Sequence, residues 1–263
     1  MNSSIELISI GTELLSGRTL NTHAQTLGAA LSAIGLRLSR DTTIPDGIGI
    51  IQSAVSEAFE RVDIVIVSGG LGPTSDDITR EALVGLFDRE IILSPAALEE
   101  IKKRYAQRGH AMNPASECMA HILDGAEALL NSVGAAVAQR LDFSNIDLFA
   151  EALVKEKKTL FVLPGPPSEF AAILNDHIAP WLRNTFPEAA PLELRVLTTQ
   201  SIGESDIVTR LAAAGFQALE TEIGFYPGSG KVEIRLTASA EKKDALDKVE
   251  RTLRELLQDH LID

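Results

Sequence analysis

Ten residues, Ser68-Gly69-Gly70-Leu71-Gly72-Pro73-Thr74-Ser75-Asp76-Asp77, bring together three glycines, a proline, three hydroxyls and two adjacent acids. Glycine lets backbone N–H groups come close to an anion, and a helix that starts just afterwards adds favourable partial charge. Asp76 and Asp77 repel phosphate by themselves. Hard divalent cations, however, take carboxylate oxygens and phosphate together. The stretch reads as a phosphate or nucleotide site served by a divalent metal (Mg2+, Mn2+ or Co2+). The alternative is an ordinary turn whose acids complement a helix start, but so short a loop holds more chemistry than a turn requires.

Hydrolysis of a phosphoanhydride needs charge neutralised on the bridging phosphates and a water in line with the breaking bond. For that chemistry Asp76 and Asp77 are the candidate metal ligands and catalytic groups. Gly69, Gly70 and Gly72, with Ser68, Pro73 and Thr74 among them, supply the cradle. Glu13, as a catalytic carboxylate, and Asp46, as a third metal ligand, stand in other loops able to reach the same edge. Each has a plain structural reading too: Gly11-Thr12-Glu13 as a helix-start box and Pro45-Asp46-Gly47 as a turn. Thr12, Ser16 and Asn21 are either ligand contacts or helix caps. Pro164, Gly165, Ser168 and Glu169 close the pocket from a second loop, unless Glu169 only complements its helix dipole. His110 and His121 lack metal-ligand spacing and read as surface or loop residues, Cys118 as a small buried filler, and Trp181 and Phe170 as core.

These residues need a frame. Ile5–Ile10, Leu36–Ile44, the β-branched run Val62–Val67 and Lys158–Leu163 read as strands, the first, third and fourth buried on both faces. Helical spacing covers Asn21–Ile34, Ile48–Arg61, Thr79–Phe87, Pro95–Gly109 and the stretch from Ser168 towards Trp181. Met112–Ser116 reads as a loop and Gly125–Asn131 as a short edge element, while Asp147, Leu148, Ala150, Leu153 and Val154 would suit an extra helix. Alternation of strand and helix implies right-handed βαβ units and a parallel sheet, with ligands at the C-terminal ends of its strands. Pro187 and Pro191 bracket a linker-like stretch. After it comes a β-α-β-β-α order: Leu192–Thr199, Ser205–Ala214, two strands flanking Pro227-Gly228-Ser229-Gly230, and Lys242–Leu261. The expected organisation is an α/β domain over 1–183 and a small α+β module over 190–263.

Four segments resemble the competence/damage-inducible protein A (CinA) family. Ile8-Ser9-Ile10-Gly11-Thr12-Glu13-Leu14-Leu15-Ser16-Gly17, with Asn21, is similar to its opening. Gly69–Asp77 matches its Gly-Gly-Leu-Gly-Pro-Thr-x-Asp-Asp signature, and Leu163–Glu169 its Leu-Pro-Gly-x-Pro-x-Glu motif. Ile202-Gly203-Glu204-Ser205 resembles a motif of its second module. The resemblance implies a three-layer molybdopterin-binding (MoaB/Mog-like) fold, shared with molybdopterin adenylyltransferases and a domain of eukaryotic FAD synthases, followed by a KH-like module. It implies metal-dependent hydrolysis of ADP-ribose at its pyrophosphate. Two other readings of the same loop are a catalytically silent molybdopterin- or nucleotide-binding module, and adenylyl transfer to molybdopterin. Family members associate, so a homo-oligomer, a dimer, is expected. Many carry a further C-terminal amidase domain. The sequence ends at Asp263 without room for one, and deamidation is not expected.

Two segments depart from the family pattern. Ser116-Glu117-Cys118-Met119-Ala120 lacks a Lys that would neutralise phosphate. Gly134-Ala135-Ala136-Val137-Ala138 keeps the pocket glycine Gly134 but loses a hydroxyl, a proline and a glycine. Arg108 and Arg140 are the candidates for a replacement cation.

Composition narrows the partners. The 263 residues carry a formal net charge of −13 and are 45% hydrophobic. Broad nucleic-acid binding needs a basic face. Residues 192–263 have 9 Lys and Arg against 13 Asp and Glu. Gly203-Glu204-Ser205-Asp206 also puts acids where a KH loop clamps a nucleic-acid backbone. A small nucleotide or pterin ligand is therefore expected, with neither nucleic acid nor membrane as partner. No apolar run spans a bilayer, no secretory signal is legible, and a single cysteine rules out an intramolecular disulfide. A cytoplasmic location is the default.

Overall fold

A computed structural model describes residues 4–143, 147–149, 152–153 and 157–262. One unit runs to Leu31 and from Arg37 to Pro187; Ser32–Leu36 and the chain from Glu188 onward make the other. The first unit begins with β1 (Ile5–Ile10), the single turn α1 (Thr12–Leu15), α2 (His23–Ser32), β2 (Leu38–Ile44), α3 (Ile48–Arg61) and β3 (Ile64–Ser68). Next come α4 (Thr79–Phe87), β4 (Ile91–Leu93), α5 (Pro95–Gln107), a 3-10 turn at Pro114–Ala120, β5 (His121–Leu123), β6 (Glu127–Leu129) and β7 (Ala138–Phe143). Then β8 (Asp147–Phe149), β9 (Ala152–Leu153), β10 (Lys158–Leu163), α6 (Pro167–Ile173), a π-turn at Leu174–Ile178 and α7 (Ala179–Thr185) complete it.

Its main sheet has the order β2-β1-β3-β10-β7-β6. The first four strands are parallel, β7 runs antiparallel to β10, and β6 antiparallel to β7. The expected parallel sheet is therefore present in β2-β1-β3-β10, and β7 and β6 extend it antiparallel at one edge. β1, β3 and β10 are buried at every position, because helices cover both faces of a parallel sheet. Burial of β1 includes Glu6, whose carboxylate accepts from Arg61 of α3 at 2.9 Å. From β1 the chain moves to one side for β2, then returns to the other side for β3. The strand order therefore reverses between β1 and β3, and a crevice opens beyond their C-terminal ends.

Several elements differ from expectation. β4, β5 and β7 lie in stretches with no assigned element; Leu141 and Phe143 of β7 are buried alternately with exposed Asp142, a period-two signal. The extra helix is absent at 147–149 and 152–153, where β8 and β9 pair antiparallel; Ala150 and Val154 lie outside the described residues. Gly11–Gly17 contains α1 rather than loop alone, and the stretch beyond Ser168 is two helices joined by a π-turn. His121 starts β5. Phe170 is fully buried, as expected for core, whereas Trp181 is half-buried and meets buried Phe161 edge-on at 5.2 Å.

The second unit contains β11 (Leu192–Gln200), α8 (Glu204–Ala213), β12 (Glu222–Gly228), β13 (Lys231–Ser239) and α9 (Lys243–Leu257). Its antiparallel sheet has the order β11-β13-β12. Leu246, Val249, Leu253 and Leu257 of α9 pack with Ile207 and Leu211 of α8 on Val232, Ile234 and Leu236. β12 is an edge strand, which is why it tolerates Pro227. Among the described residues no helix is long and apolar enough to cross a membrane.

Because β10 carries the second pocket loop, its packing bears on the site. Phe161→Ala should lower stability by about 3–5 kcal/mol, measured by urea unfolding.

Candidate functional site

Three parallel strands end close together, and the loops after β1, β3 and β10 converge there. Gly69 has φ +115°, and a Cβ on it would run into the Ile10 carbonyl of β1. Its N–H donates to Leu163 O of β10 at 3.0 Å, and the Thr79 hydroxyl donates to its carbonyl at 2.8 Å. On the other side, a Cβ at Gly165 would lie 3.4 Å from Gly69 Cα. Gly70, at φ +68°, turns the chain again. With Ser68 buried and its hydroxyl donating to Pro164 O at 3.1 Å, the two loops are tied together. No described residue accepts a hydrogen bond from the N–H of Gly70, Leu71 or Gly72.

A cavity of about 560 Å³ opens over these loops. Of the sequence-predicted residues, Gly11, Glu13, Asn21, Asp46, Gly69, Gly70, Gly72, Pro73, Thr74, Asp76, Asp77, Pro164, Gly165 and Glu169 line it. Five do not: Thr12, Ser16, Ser68, Gly134 and Ser168. Thr12 holds Asp46 instead, its N–H and hydroxyl donating to Asp46 Oδ2 at 2.9 and 2.8 Å. The Ser16 hydroxyl donates to Glu13 O, closing α1. Ser168 is exposed on the first turn of α6. Gly134 stands behind Glu169, whose carboxyl fills the space a Cβ would take.

Asp76 and Asp77 do not cap α4: its N-cap is Ile78, with no side-chain cap bond. Both carboxylates gather on Thr74. The Thr74 N–H donates to Asp77 Oδ2 at 2.9 Å, and its hydroxyl lies 2.5 Å from both Asp76 Oδ1 and Asp77 Oδ2. That hydrogen bond holds the Asp76 carboxyl below its ordinary range. Asn21 serves as a cap as well as a wall, its Oδ1 accepting from His23 N at 3.0 Å at the start of α2. Among the described residues, no group of three or more His, Cys, Asp or Glu stands arranged as a preformed metal cage.

Five carboxyls line the cavity (Glu13, Asp46, Asp76, Asp77, Glu169), and the described lining holds neither Lys nor Arg. Arg140 and Arg108 are elsewhere. Arg140 pairs with Glu127 and Asp142 and lies over Trp181; Arg108 is the exposed C-cap of α5. The guanidinium that reaches the glycine loop is Arg80, buried behind it and donating to Leu71 O at 3.1 Å. Cys118 is half-buried beside this loop, with Sγ donating to Ala115 O at 3.1 Å and 3.6 Å from Gly72 O.

Sequence reasoning passed over His23. It is 5% exposed, lines the cavity and stacks on Phe170 at 4.2 Å between ring centroids. Burial pushes its pKa down, partly offset by the Gly165 backbone. No motif marks it, but His23, Leu27 and Leu31 share one face of α2 at four-residue spacing, which is a burial signal. Asn131 was also missed. It is buried, and its side chain bonds Glu169, Gly134, Val133 and Ala136.

Fold and cavity define an α/β protein with a mixed sheet and a cavity at the strand-order reversal of that sheet. A family model described as the probable molybdopterin binding domain matches residues 6–184, and one described as the damage-inducible protein CinA KH domain matches 194–262. The chain belongs to the CinA family of molybdopterin-binding-domain proteins. A competence-damage inducible protein of Caldicellulosiruptor saccharolyticus is 33% identical over 97% of this chain and 60% of its own length. One of Geobacillus kaustophilus is 34% identical over 94% of this chain and 58% of its own. The chain thus spans about 60% of the length of these curated relatives. The crystal structure of the protein CinA with unknown function from Thermoplasma acidophilum is 33% identical, with a TM-score of 0.55. It covers 66% of this chain and 96% of that one.

Two outcomes follow from the geometry. Gly69→Ala should lower stability by about 2 kcal/mol or more in urea unfolding, since an L-residue at this φ is strained and the Ile10 carbonyl blocks its Cβ. His23 binds its proton less tightly folded than unfolded, so its contribution to stability is full above the unfolded pKa of 6.5 and is lost as pH falls below it. His23→Asn should flatten that acid-side decline in thermal melts.

Proposed function

We propose that the cavity binds a nucleotide diphosphate together with a divalent cation and hydrolyses the phosphoanhydride, ADP-ribose being the substrate to test first. The observation that carries this reading is the open set of N–H groups at Gly70, Leu71 and Gly72 beside the Asp76–Asp77 pair. Successive free amides in a glycine loop form an anion-binding concavity, and a phosphate is the anion of that size and charge. Family membership supports a ligand of pterin or nucleotide type.

The donor set fits a cation that arrives with its ligand. Thr74 offers one hydroxyl proton to two carboxylate oxygens, an excess of negative oxygen. Asp76 Oδ2 and Asp77 Oδ1 are not held by Thr74, nor is Asp46 Oδ1 held by Thr12. Magnesium-type ions are commonly held by one or two carboxylates and complete their shell with water and phosphate oxygens. Asp76 and Asp77 would hold the ion, with Asp46 on the facing loop. The cation would supply charge neutralisation on the diphosphate. Around it, the glycine loop binds phosphate oxygens, Pro164 and Gly165 fix the far wall, and Asn21 offers its amide.

A second reading, binding without turnover, is favoured by one observation: five carboxyls and, among the described residues, neither Lys nor Arg line the cavity. Adenylyl transfer to molybdopterin would use the same loop with a nucleoside triphosphate. Purified protein should form AMP from ADP-ribose with Mg2+, Mn2+ or Co2+, followed by chromatography, and Asp77→Ala should lower the rate by about 100-fold or more while far-UV circular dichroism is unchanged. Stabilisation by ADP-ribose against heat without AMP would establish the binding module instead.

A further inference from the structure

The hydrolytic reading leaves open which group takes the proton of the attacking water. We infer that Glu169 is the general base of the cavity and that Asn131 is the residue that positions it. This rests on the function proposed above.

The Glu169 side chain comes from the first turn of α6, lines the cavity and is half-buried. The chain between β6 and β7 is folded around its carboxyl. Asn131 Nδ2 donates to Glu169 Oε2 at 2.5 Å and to Ala136 O at 3.1 Å. Asn131 Oδ1 accepts from Val133 N at 3.0 Å and from Gly134 N at 2.8 Å. A buried amide with two donors and two acceptor lone pairs is thereby fully used, and its orientation is set. Gly134 must lack a side chain, because Glu169 occupies that space. The loop, the amide and the glycine together give the carboxyl one geometry and leave Oε1 without a hydrogen-bond partner among the described residues.

Burial pushes the Glu169 carboxyl up from its ordinary value, only partly offset by Asn131 and by the Arg104 charge. A base whose pKa approaches the working pH is the more effective one. The charged groups around Glu169 are Arg104 with its partner Glu100 on α5, and Asp176 and His177 on the turn after α6. The lining of the cavity also holds His23, Glu13, Asp46, Asp76 and Asp77.

In the step itself, the water oxygen bonds to phosphorus while Glu169 takes one of its protons. The bond from phosphorus to the bridging oxygen breaks, its electron pair leaving with the departing phosphate. Glu169 then passes its proton to that phosphate or to solvent, and the carboxylate is restored.

The test uses the full chain with ADP-ribose and Mn2+, measuring kcat and KM from about pH 5 to 9. The wild type should show an acid limb above the ordinary glutamate range. Glu169→Gln should lose about 100-fold in kcat with KM nearly unchanged. Arg104→Gln, which keeps the Asn131 amide, removes a charge that favours the ionised carboxyl and should move the acid limb to higher pH; Asn131→Ala should do the same where it folds. A merely structural role for these groups would change stability without moving the limb. AMP formed by Glu169→Gln at the wild-type rate, or an unshifted limb in Arg104→Gln, overturns this assignment and leaves the hydrolase standing. Absence of AMP from the wild type with all three metals overturns the hydrolase and this assignment with it.

Discussion

Everything at the site depends on how closely the backbones of three strands approach one another at Gly69. β1, β3 and β10 are held in parallel register by ladders buried on both faces, so their C-terminal ends cannot spread apart. At the end of β3 the chain must turn within a space already bounded by the Ile10 carbonyl. Only a residue without Cβ, at a φ open to glycine, passes through. The turn directs the next residues over the sheet edge, where the amides of Gly70, Leu71 and Gly72 have no acceptor among the described residues. A loop of open amides thus follows from a packing constraint.

That constraint also explains the electrostatics. The loop is backed by the buried Arg80 guanidinium and braced by Thr74 with Asp76 and Asp77, so its cationic side faces inward and its anionic side faces the cavity. A cavity so rich in carboxyls is hostile to a bare diphosphate. In the proposed reading a cation bound with the ligand offsets that repulsion. The loop between β6 and β7 adds a carboxyl of a different kind. Glu169 is held from behind by Asn131 and half-buried, and its environment differs from that of exposed Asp76 although both belong to one cavity.

Much of this was legible from residue order. The β-branched runs at Ile64–Val67 and Leu160–Leu163, and the glycine and proline clusters after them, announce buried strands followed by ligand loops. The β-α-β-β-α order of the second unit is plain from periodicity alone. These signals are local, and local patterns survive in one dimension. What failed was equally particular. β7 is hidden because Gly134–Ala138 stands out against the family pattern rather than by any strand period, and because buried Gln139 interrupts the apolar alternation. β4 and β5 are three residues each, too short for a period to register.

By itself the sequence determined the kind of fold, the order of elements in the two units, and the glycine loop over which the cavity opens, since each follows from the order of apolar, glycine and acidic residues along the chain. Tertiary structure alone decided which distant residues meet. His23 reaches the wall by stacking on Phe170, 147 positions away, and Asn131 orients a carboxyl from α6. It also decided that Asp76 and Asp77 close a loop rather than cap a helix, and that Arg140 is committed to Glu127 and Asp142. Those outcomes depend on which side chains share a desolvated space, and burial of that kind arises only once the sheet has assembled.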